Sequence, residues 1–421
     1  MNRKLSPLSL LIILTGLNLF NYLDRYVLNA VRTPMAAAFG LGYGDSGRLF
    51  TAFMLGYFLT SPFFGYLGDR YSRKVLISLG ILVWSLGTIL TGLAGSFAAL
   101  LVFRAMVGVG EASYATLSPG LISDAWSPNK RNNALTVFYV AIPVGSAMGY
   151  MLGGEVAAHW GWQYAFLWAG VPGLLLALIL LPFREPARGE SDGASGERPG
   201  KPGLGDIFRI LVNGEYLLVV WGYVAYTFAL GAFAFWGPTF LQKAHGLPLD
   251  KADNFFGMVL IAAGVVGSLL GGFIATRWQK GTPAGYALLL CTSIFAAVPL
   301  SFCALLAEST ALSMAFLAGS IFLIFFSTGP VNTLIIEAVP VNVRSSAMAI
   351  SIFMIHLFGD MYSPEVIGRM ADRMGGDLQR AILVLPASLM AAAILWLLLA
   401  LKQRGKSPCA AKEHPSMRMS A

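Results

Sequence analysis

Charged residues are scarce in this sequence. Asp, Glu, Lys and Arg together make up 12% of the 421 residues, about half of the ~25% that is typical of a soluble domain. This scarcity and a mean hydropathy of +0.68 exclude a chain built of soluble domains. Cysteine is also rare: Cys291, Cys303 and Cys409 have neither paired nor metal-ligand spacing, so we expect no disulfide framework and no metal site. Lys and Arg are scattered between apolar blocks, so nucleic-acid binding is not expected.

The apolar residues fall in blocks of about 20, which is the length that crosses a ~30 Å hydrocarbon core. The fold class that follows is an all-α membrane protein with twelve transmembrane helices. The predicted spans are residues 8–32, 46–68, 74–94, 97–122, 132–156, 162–183, 212–241, 253–276, 284–306, 311–338, 345–370 and 379–401.

The longest break between these spans divides them into two sets of six. Residues 184–211 begin REPARGESDGASGERPGKPG, a mixture of Pro, Gly, Ser and alternating charge that is typical of a solvated linker. The predicted domains are therefore an N-terminal six-helix bundle (1–183), a cytoplasmic linker (184–211), a C-terminal six-helix bundle (212–401) and a cytoplasmic tail (402–421).

The two halves also carry a sequence repeat. The stretch DAWSPNKRNNALTV (124–137) aligns without a gap on EAVPVNVRSSAMAI (337–350), and both lie at the fourth-to-fifth junction of their half. Six-span halves in the same orientation, related by a pseudo-two-fold axis, are typical of a large class of transporters. Most of the 29 Lys and Arg residues fall on the side of the N-terminus, the linker and the tail, which predicts that both termini are cytoplasmic.

Four charges lie inside the predicted spans and require an explanation. Asp24 and Arg25 stand in the first span, within NYLDRYVLNAV, and Arg104 and Glu111 in the fourth, within FRAMVGVGEAS. Each charge costs about 2.5–3.5 kcal/mol at the centre of a bilayer, so such residues face the bundle interior or an aqueous cavity. At a rise of ~1.5 Å per residue, Asp24 is level with Arg104, and Glu111 is the expected acid for Arg25. Our hypothesis is a network that responds to protonation; a purely structural ion pair is the alternative.

The loop after the second span reads GYLGDRYSRK, with Gly65, Asp69, Arg70 and Arg73. It resembles the inner-gate motif of the major facilitator superfamily and departs from it at Ser72, where a glycine is usual. Small glycines allow helices to approach closely, and the acid can accept hydrogen bonds across the gate. An ordinary positive-inside loop is the alternative.

Polar and aromatic residues in other spans are candidates for a substrate cavity. His356 and Asp360 in the eleventh span are four residues apart and share a helix face, with a functional and a structural role equally open. Asn21 and Asn29 are each four residues from Arg25 and share its face of the first span. The seventh span is rich in aromatic side chains, which usually serve packing. The remaining cavity candidates come from that span: Tyr226, Phe228 and Trp236. Gly145, Gly149 and Gly153 in the fifth span predict a close helix–helix contact.

The motifs NYLDRY, GYLGDRYSRK, FWGPTFL and HLFGDMYSP together resemble the Spinster family of the major facilitator superfamily, over the whole membrane region. The resemblance implies a secondary transporter that works by alternating access, moves an amphipathic anionic lipid such as a lysophospholipid or a sphingosine-phosphate-like molecule, and is proton-coupled. Short tails favour a bacterial homologue in the inner membrane, acting as a monomer, with the proton as coupling ion and no cofactor. A sugar, organic-anion or drug permease of the same fold is the alternative. A membrane receptor is disfavoured by the span count, and no nucleophile–base set indicates an enzyme.

Overall fold

The fold is described from a computed structural model, which describes residues 3–4, 6–186, 204–339 and 344–404. Most of the predicted linker and of the predicted tail lies outside the described residues. The described residues are almost entirely helical. The helices of the first half are α1 Pro7–Phe39, α2 Tyr43–Arg70, α3 Arg73–Gly92, α4 Phe97–Ala125, α5 Pro128–Trp160 and α6 Trp162–Ala177.

A short helix, α7, occupies Leu204–Leu211, the part of the predicted linker that the structure describes at its C-terminal end. The helices that follow are α8 Gly214–His245, α9 Leu249–Ile261, α10 Ser268–Gly281, α11 Gly285–Leu306, α12 Thr310–Phe325, α13 Thr328–Glu337, α14 Arg344–Ile355, α15 Ser363–Arg373, α16 Leu378–Ile382 and α17 Val384–Arg404. There are two π-helical segments. Ala262–Gly267 joins α9 to α10, and His356–Asp360 lies between α14 and α15.

Ten helices or helix pairs within the described residues are long and apolar enough to span a membrane. The two further predicted spans differ from the others in their local structure. The helix in predicted span 162–183 ends at Ala177 after 16 residues. Predicted span 345–370 is divided among α14, a π segment and α15, which begins beside Pro364. The prediction of a helical membrane protein is confirmed, and the number of twelve transmembrane helices stays a prediction.

The first helix is longer than its sequence predicts. It continues through Pro34 to Phe39 and ends at Gly40, whose φ of 62° is left-handed. Glycine adopts this conformation without the steric cost that a Cβ brings. A two-residue parallel strand pair, β1 Arg3–Lys4 with β2 Phe183–Arg184, is an exception to the all-α prediction.

The chain forms two compact units. The first comprises Met1–Arg198, Ala234–Ile261 and Met361–Ile382, and the second Pro199–Phe233, Ala262–Asp360 and Leu383–Ala421. These bounds differ from a division at the linker. The reason is packing, because α9 lies along α5 and α15 lies along α2 within the first unit. In the second unit α11 packs on α12 and α17.

Close packing of α1 against α5 fixes the helix that carries Asp24 and Arg25. A Cβ added at Gly149 would lie 2.5 Å from the carbonyl oxygen of Leu23, and one at Gly153 would lie 3.0 Å from the Cβ of Ala30. The glycine spacing thus predicts this contact correctly. The two backbones approach as closely as small residues allow.

Candidate functional site

Arg25 and Glu111 form a buried ion pair between α1 and α4. Arg25 Nη2 lies 2.6 Å and Nε 3.0 Å from Glu111 Oε2. The side chain of Glu111 is 0% exposed and that of Arg25 is 18% exposed, so Arg25 is the partly accessible member of the pair. The sequence predicts this partnership from helix position, and the structure places the two side chains in contact.

Three aromatic rings surround the guanidinium of Arg25. Its Cζ atom lies 4.7 Å from the ring centroid of Tyr22, 5.0 Å from that of Phe53 and 5.4 Å from that of Tyr57. Ring faces attract a cation within ~6 Å. Arg25 is therefore held both by a carboxylate and by an aromatic wall, and this wall is both apolar and electron-rich.

Asp24 and Arg104 do not form an ion pair within the part of the chain that the structure describes. Both are buried. Asp24 accepts a hydrogen bond from the hydroxyl of Thr88 on α3, and the guanidinium of Arg104 lies 5.3 Å from the ring centroid of Phe166. Among the described residues, Arg104 Nε and Nη2 have no hydrogen-bond partner. Of the four charges that the sequence places inside the first and fourth spans, Arg25 and Glu111 are thus the pair in contact.

Of the predicted inner-gate residues, only Arg73 belongs to an ion-pair cluster in the described structure. Gly65 has room, since its nearest neighbour for a Cβ is Thr116 Cγ2 at 3.9 Å. Arg70 is exposed and lies over the ring of Tyr66, 3.6 Å from its centroid. The side chain of Asp69 lies outside the described residues.

Arg73 is the centre of this cluster, which the sequence does not reveal. Its Nη1 lies 2.6 Å from Asp124 Oδ2 at the end of α4, and its Nε lies 2.8 Å from Glu185 Oε1 after α6. Ser72 donates a 2.7 Å hydrogen bond to Glu185 Oε2. The serine that departs from the superfamily motif therefore helps Arg73 to hold this carboxylate. Lys74 Nζ donates to the carbonyl oxygens of residues 181 and 183.

The electrostatics of Glu185 follow from these contacts. Partial burial raises its pKa, but the hydrogen bonds from Arg73 and Ser72 and the charge of Arg73 outweigh burial, so the pKa of Glu185 lies below the ordinary 4.5. Glu185 thus keeps its negative charge at the point where α3, α4 and the segment after α6 meet.

The cavity candidates of the first unit are all buried. Asn21 and Asn29 lie on α1, and Asn29 Nδ2 donates to the hydroxyl of Tyr150 at 3.3 Å. Trp236 Nε1 donates to the carbonyl of Pro364 at 2.9 Å. The indole nitrogen is thus satisfied by the backbone, while Trp236 also lines a cavity of about 350 Å³ together with Arg32 and Tyr43.

The cavity candidates of the second unit divide into packed and accessible residues. Tyr226 is buried and its hydroxyl donates to the carbonyl of Ile324 at 3.1 Å, whereas Phe228 is partly exposed. His356 Nδ1 lies 3.0 Å from Asp360 Oδ1, and both side chains are partly exposed. The predicted shared face of His356 and Asp360 is confirmed as a contact, within the π segment.

A second set of buried charges, Arg32 and Asp253, was missed by the sequence analysis. Arg32 donates to the carbonyl oxygen of Phe235 and lies over two rings, with centroids 4.4 Å (Phe235) and 4.3 Å (Trp236) from its Cζ. Asp253 packs against Gly154, and within the described residues neither carboxylate oxygen has a hydrogen-bond partner. Arg32 and Asp253 each lie at the boundary of a predicted span, where charged residues that flank a span are common.

Comparison with known proteins identifies the family. The chain matches the Major Facilitator Superfamily over residues 14–364. It is 34% identical over 385 residues to protein spinster homolog 3 of Danio rerio, covering 86% of this chain and 76% of that protein. It is also 34% identical over 386 residues to protein spinster homolog 1 of Homo sapiens, covering 86% and 72%.

Solved structures agree with the sequence relatives. A bacterial homologue of the human lysosomal transporter Spinster, in an inward-facing and unoccupied conformation, superposes with a TM-score of 0.80 at 25% identity, covering 96% of this chain and 99% of that one. The occupied conformation gives 0.83 at 24% identity, covering 95% and 98%. A D-xylose–proton symporter gives 0.68 at 17% identity, covering 95% and 98%, and so shares the fold. This chain is a membrane transporter of the Spinster family, within the major facilitator superfamily.

Proposed function

We propose that this protein is a proton-coupled secondary transporter, without enzymatic activity, that moves an amphipathic anionic lipid by alternating access. In this proposal α6 and the α14–α15 region complete twelve spans in two six-helix halves. Both termini face the cytoplasm, and the protein resides in the inner membrane of a bacterium. The observation that carries the proposal is the buried Arg25–Glu111 pair, of which only the arginine is accessible.

The pair supports proton coupling for an energetic reason. A carboxylate that is removed from water is stable as an anion only while a cation stays beside it, and loss of one partner from a buried pair costs about 3–5 kcal/mol. Protonation of Glu111 removes that requirement and frees Arg25. Conversely, movement of Arg25 away from Glu111 favours proton uptake, so the two events are linked.

The surroundings of Arg25 support an amphipathic anion as substrate. A guanidinium binds phosphate or carboxylate oxygens through charge-assisted hydrogen bonds. The rings of Tyr22, Phe53 and Tyr57 form an apolar surface beside it, which suits the hydrocarbon next to a headgroup. The names of the relatives add that Spinster proteins include a lysosomal transporter.

The test is transport by the purified protein in proteoliposomes with an imposed pH gradient. We expect uptake of a labelled lysophospholipid to depend on the gradient, and Glu111→Gln and Asp24→Asn to abolish that dependence while keeping expression. Glu308→Gln is the matched control, because Glu308 is an exposed acid between α11 and α12.

Two results would overturn the proposal. Unchanged pH dependence in both variants would refute the coupling role of this network. Competition by a sugar or a small organic anion, with none by lysophospholipid, would assign the protein to the alternative permease class.

A further inference from the structure

A long apolar groove lies on the surface of the first unit, between α1, α5 and α6. Its volume is about 590 Å³. Among the described residues, no arginine or lysine lines it. Apolar side chains form its walls, among them Phe20, Val27, Leu152, Val156, Ala169 and Pro172.

The ionisable groups of this groove gather at one end. Glu155 and His159 line it next to the C-terminal end of α5, together with Trp160 and Trp168, whose rings are stacked with centroids 6.1 Å apart. Tryptophan pairs of this kind are typical of the membrane–water interface. The groove therefore has one polar end, at Glu155 and His159, and is apolar along the rest of its length.

The length of the groove matches one leaflet. It extends along α5 from Met148 to Trp160, which is about 18 Å at ~1.5 Å per residue. Half of the ~30 Å hydrocarbon core is about 15 Å. One extended acyl chain whose headgroup lies at the tryptophan end fits this dimension.

The carboxylate of Glu155 determines which headgroup fits. Its Oε1 accepts a 3.0 Å hydrogen bond from Asn254 Nδ2, which fixes the side chain, while 47% of that side chain remains exposed. His159 Nδ1 lies 2.9 Å from the carbonyl oxygen of Glu155 and 3.6 Å from its carboxylate Oε2. Among the described residues no lysine or arginine forms an ion pair with Glu155, so its carboxylate attracts an ammonium group and repels a net-negative headgroup.

We propose that this groove binds one acyl chain of a bilayer phospholipid that carries a primary amine in its headgroup, with the ammonium on Glu155. A primary ammonium donates charge-assisted hydrogen bonds to a carboxylate. A quaternary choline has no N–H to donate and gains only ring contacts. This resident lipid is separate from the transported substrate, and its site does not depend on proton coupling.

The test is native mass spectrometry of the full-length protein, with phosphatidylethanolamine, phosphatidylcholine and phosphatidylglycerol of identical acyl chains. We expect one retained lipid with a preference of about two- to five-fold for the ethanolamine lipid, the range of an exposed ion pair. Glu155→Gln should remove the preference. Val156→Trp should fill the groove and remove the retained lipid, whereas Val102→Trp, at an exposed apolar position on α4, should leave it in place.

A phosphatidylethanolamine with a photoreactive acyl chain supplies an independent measurement on the unmutated protein. We expect crosslinks to peptides of α1, α5 and α6. Equal retention by wild type and Val156→Trp, a preference for phosphatidylglycerol, or crosslinks spread evenly over the bundle would each overturn the proposal.

Discussion

Arg25→Ala and Glu111→Gln both remove the Arg25–Glu111 contact, but we expect them to destabilise the protein by different amounts. Arg25→Ala leaves a carboxylate in a site with no exposure, whereas Glu111→Gln leaves a guanidinium that is 18% exposed. The orphaned cation still has three rings within 5.4 Å. The orphaned anion is left in its buried site without that cation.

The structure gives the size of this inequality. Removal of one partner from a buried pair costs about 3–5 kcal/mol, which we expect for Arg25→Ala. Each cation–π contact with the remaining guanidinium offsets about 0.5–1 kcal/mol, so two or three of them together reduce the cost of Glu111→Gln to about 2 kcal/mol. The expected difference in unfolding free energy between the variants is about 1–3 kcal/mol.

The pH dependence has a definite sign. In Arg25→Ala the carboxylate of Glu111 is buried without its cation, so its neutral form is favoured and the folded state binds more protons than the unfolded state. Its stability should therefore fall as pH rises, by up to ~1.4 kcal/mol per unit relative to wild type. Glu111→Gln has no carboxylate at this site, and its stability relative to wild type should not change in the same way.

Steric trapping in bicelles measures the unfolding free energy of both variants at pH 6, 7 and 8 without extrapolation from heat. Equal destabilisation by the two substitutions at pH 8 would refute the argument from burial. A stability of Arg25→Ala that is flat from pH 6 to 8 would show that Glu111 finds another cation.

Further predictions concern packing and the Arg73 cluster. Gly149→Ala should destabilise the protein by about 1–3 kcal/mol, because its Cβ would lie 2.5 Å from the carbonyl oxygen of Leu23. Gly16→Ala on α1, with nothing within 4 Å, should be neutral or stabilising by up to ~1 kcal/mol; steric trapping measures both, and equal effects would contradict the close contact. Because the pKa of Glu185 lies below 4.5, its contact with Arg73 should stabilise the protein above pH 4.5 and weaken as pH falls below it. A pH titration of unfolding should show that slope in wild type and lack it in Glu185→Gln, and identical curves would contradict the assignment.

The sequence predicts helices well here because a membrane span has a simple signature. A block of apolar residues long enough to cross the bilayer is visible without tertiary information, and Arg73–Gly92 lies within two residues of its predicted bounds. The predictions are weaker where one span is made of several pieces. The π segment at His356–Asp360 cannot be predicted from hydropathy, because hydropathy reports the polarity of the residues and not whether their helix is α or π.

The charged site divides in the same way. Arg25 and Glu111 are predictable as partners because both are charges inside apolar helices and Arg25 shares a polar helix face with Asn21 and Asn29. Depth matches Asp24 with Arg104 instead, and those two form no ion pair within the described residues. Asp24 bonds instead to the hydroxyl of Thr88, and a threonine in a span gives no electrostatic signal. Glu185 lies outside every span, so its place beside Arg73 depends on tertiary folding that the linear charge pattern does not encode.

The glycine contact between α1 and α5 has a consequence for how mutational data on this protein should be interpreted. Any side chain at Gly149 would displace the backbone at Leu23, the residue next to Asp24. A saturation scan scored by transport would therefore rank this glycine with the ionisable residues, although it has no chemistry of its own. A parallel scan scored by abundance at the membrane separates the two classes. Glu111→Gln should lose the pH dependence of transport with little loss of abundance, whereas large side chains at Gly149 should lose transport and abundance together.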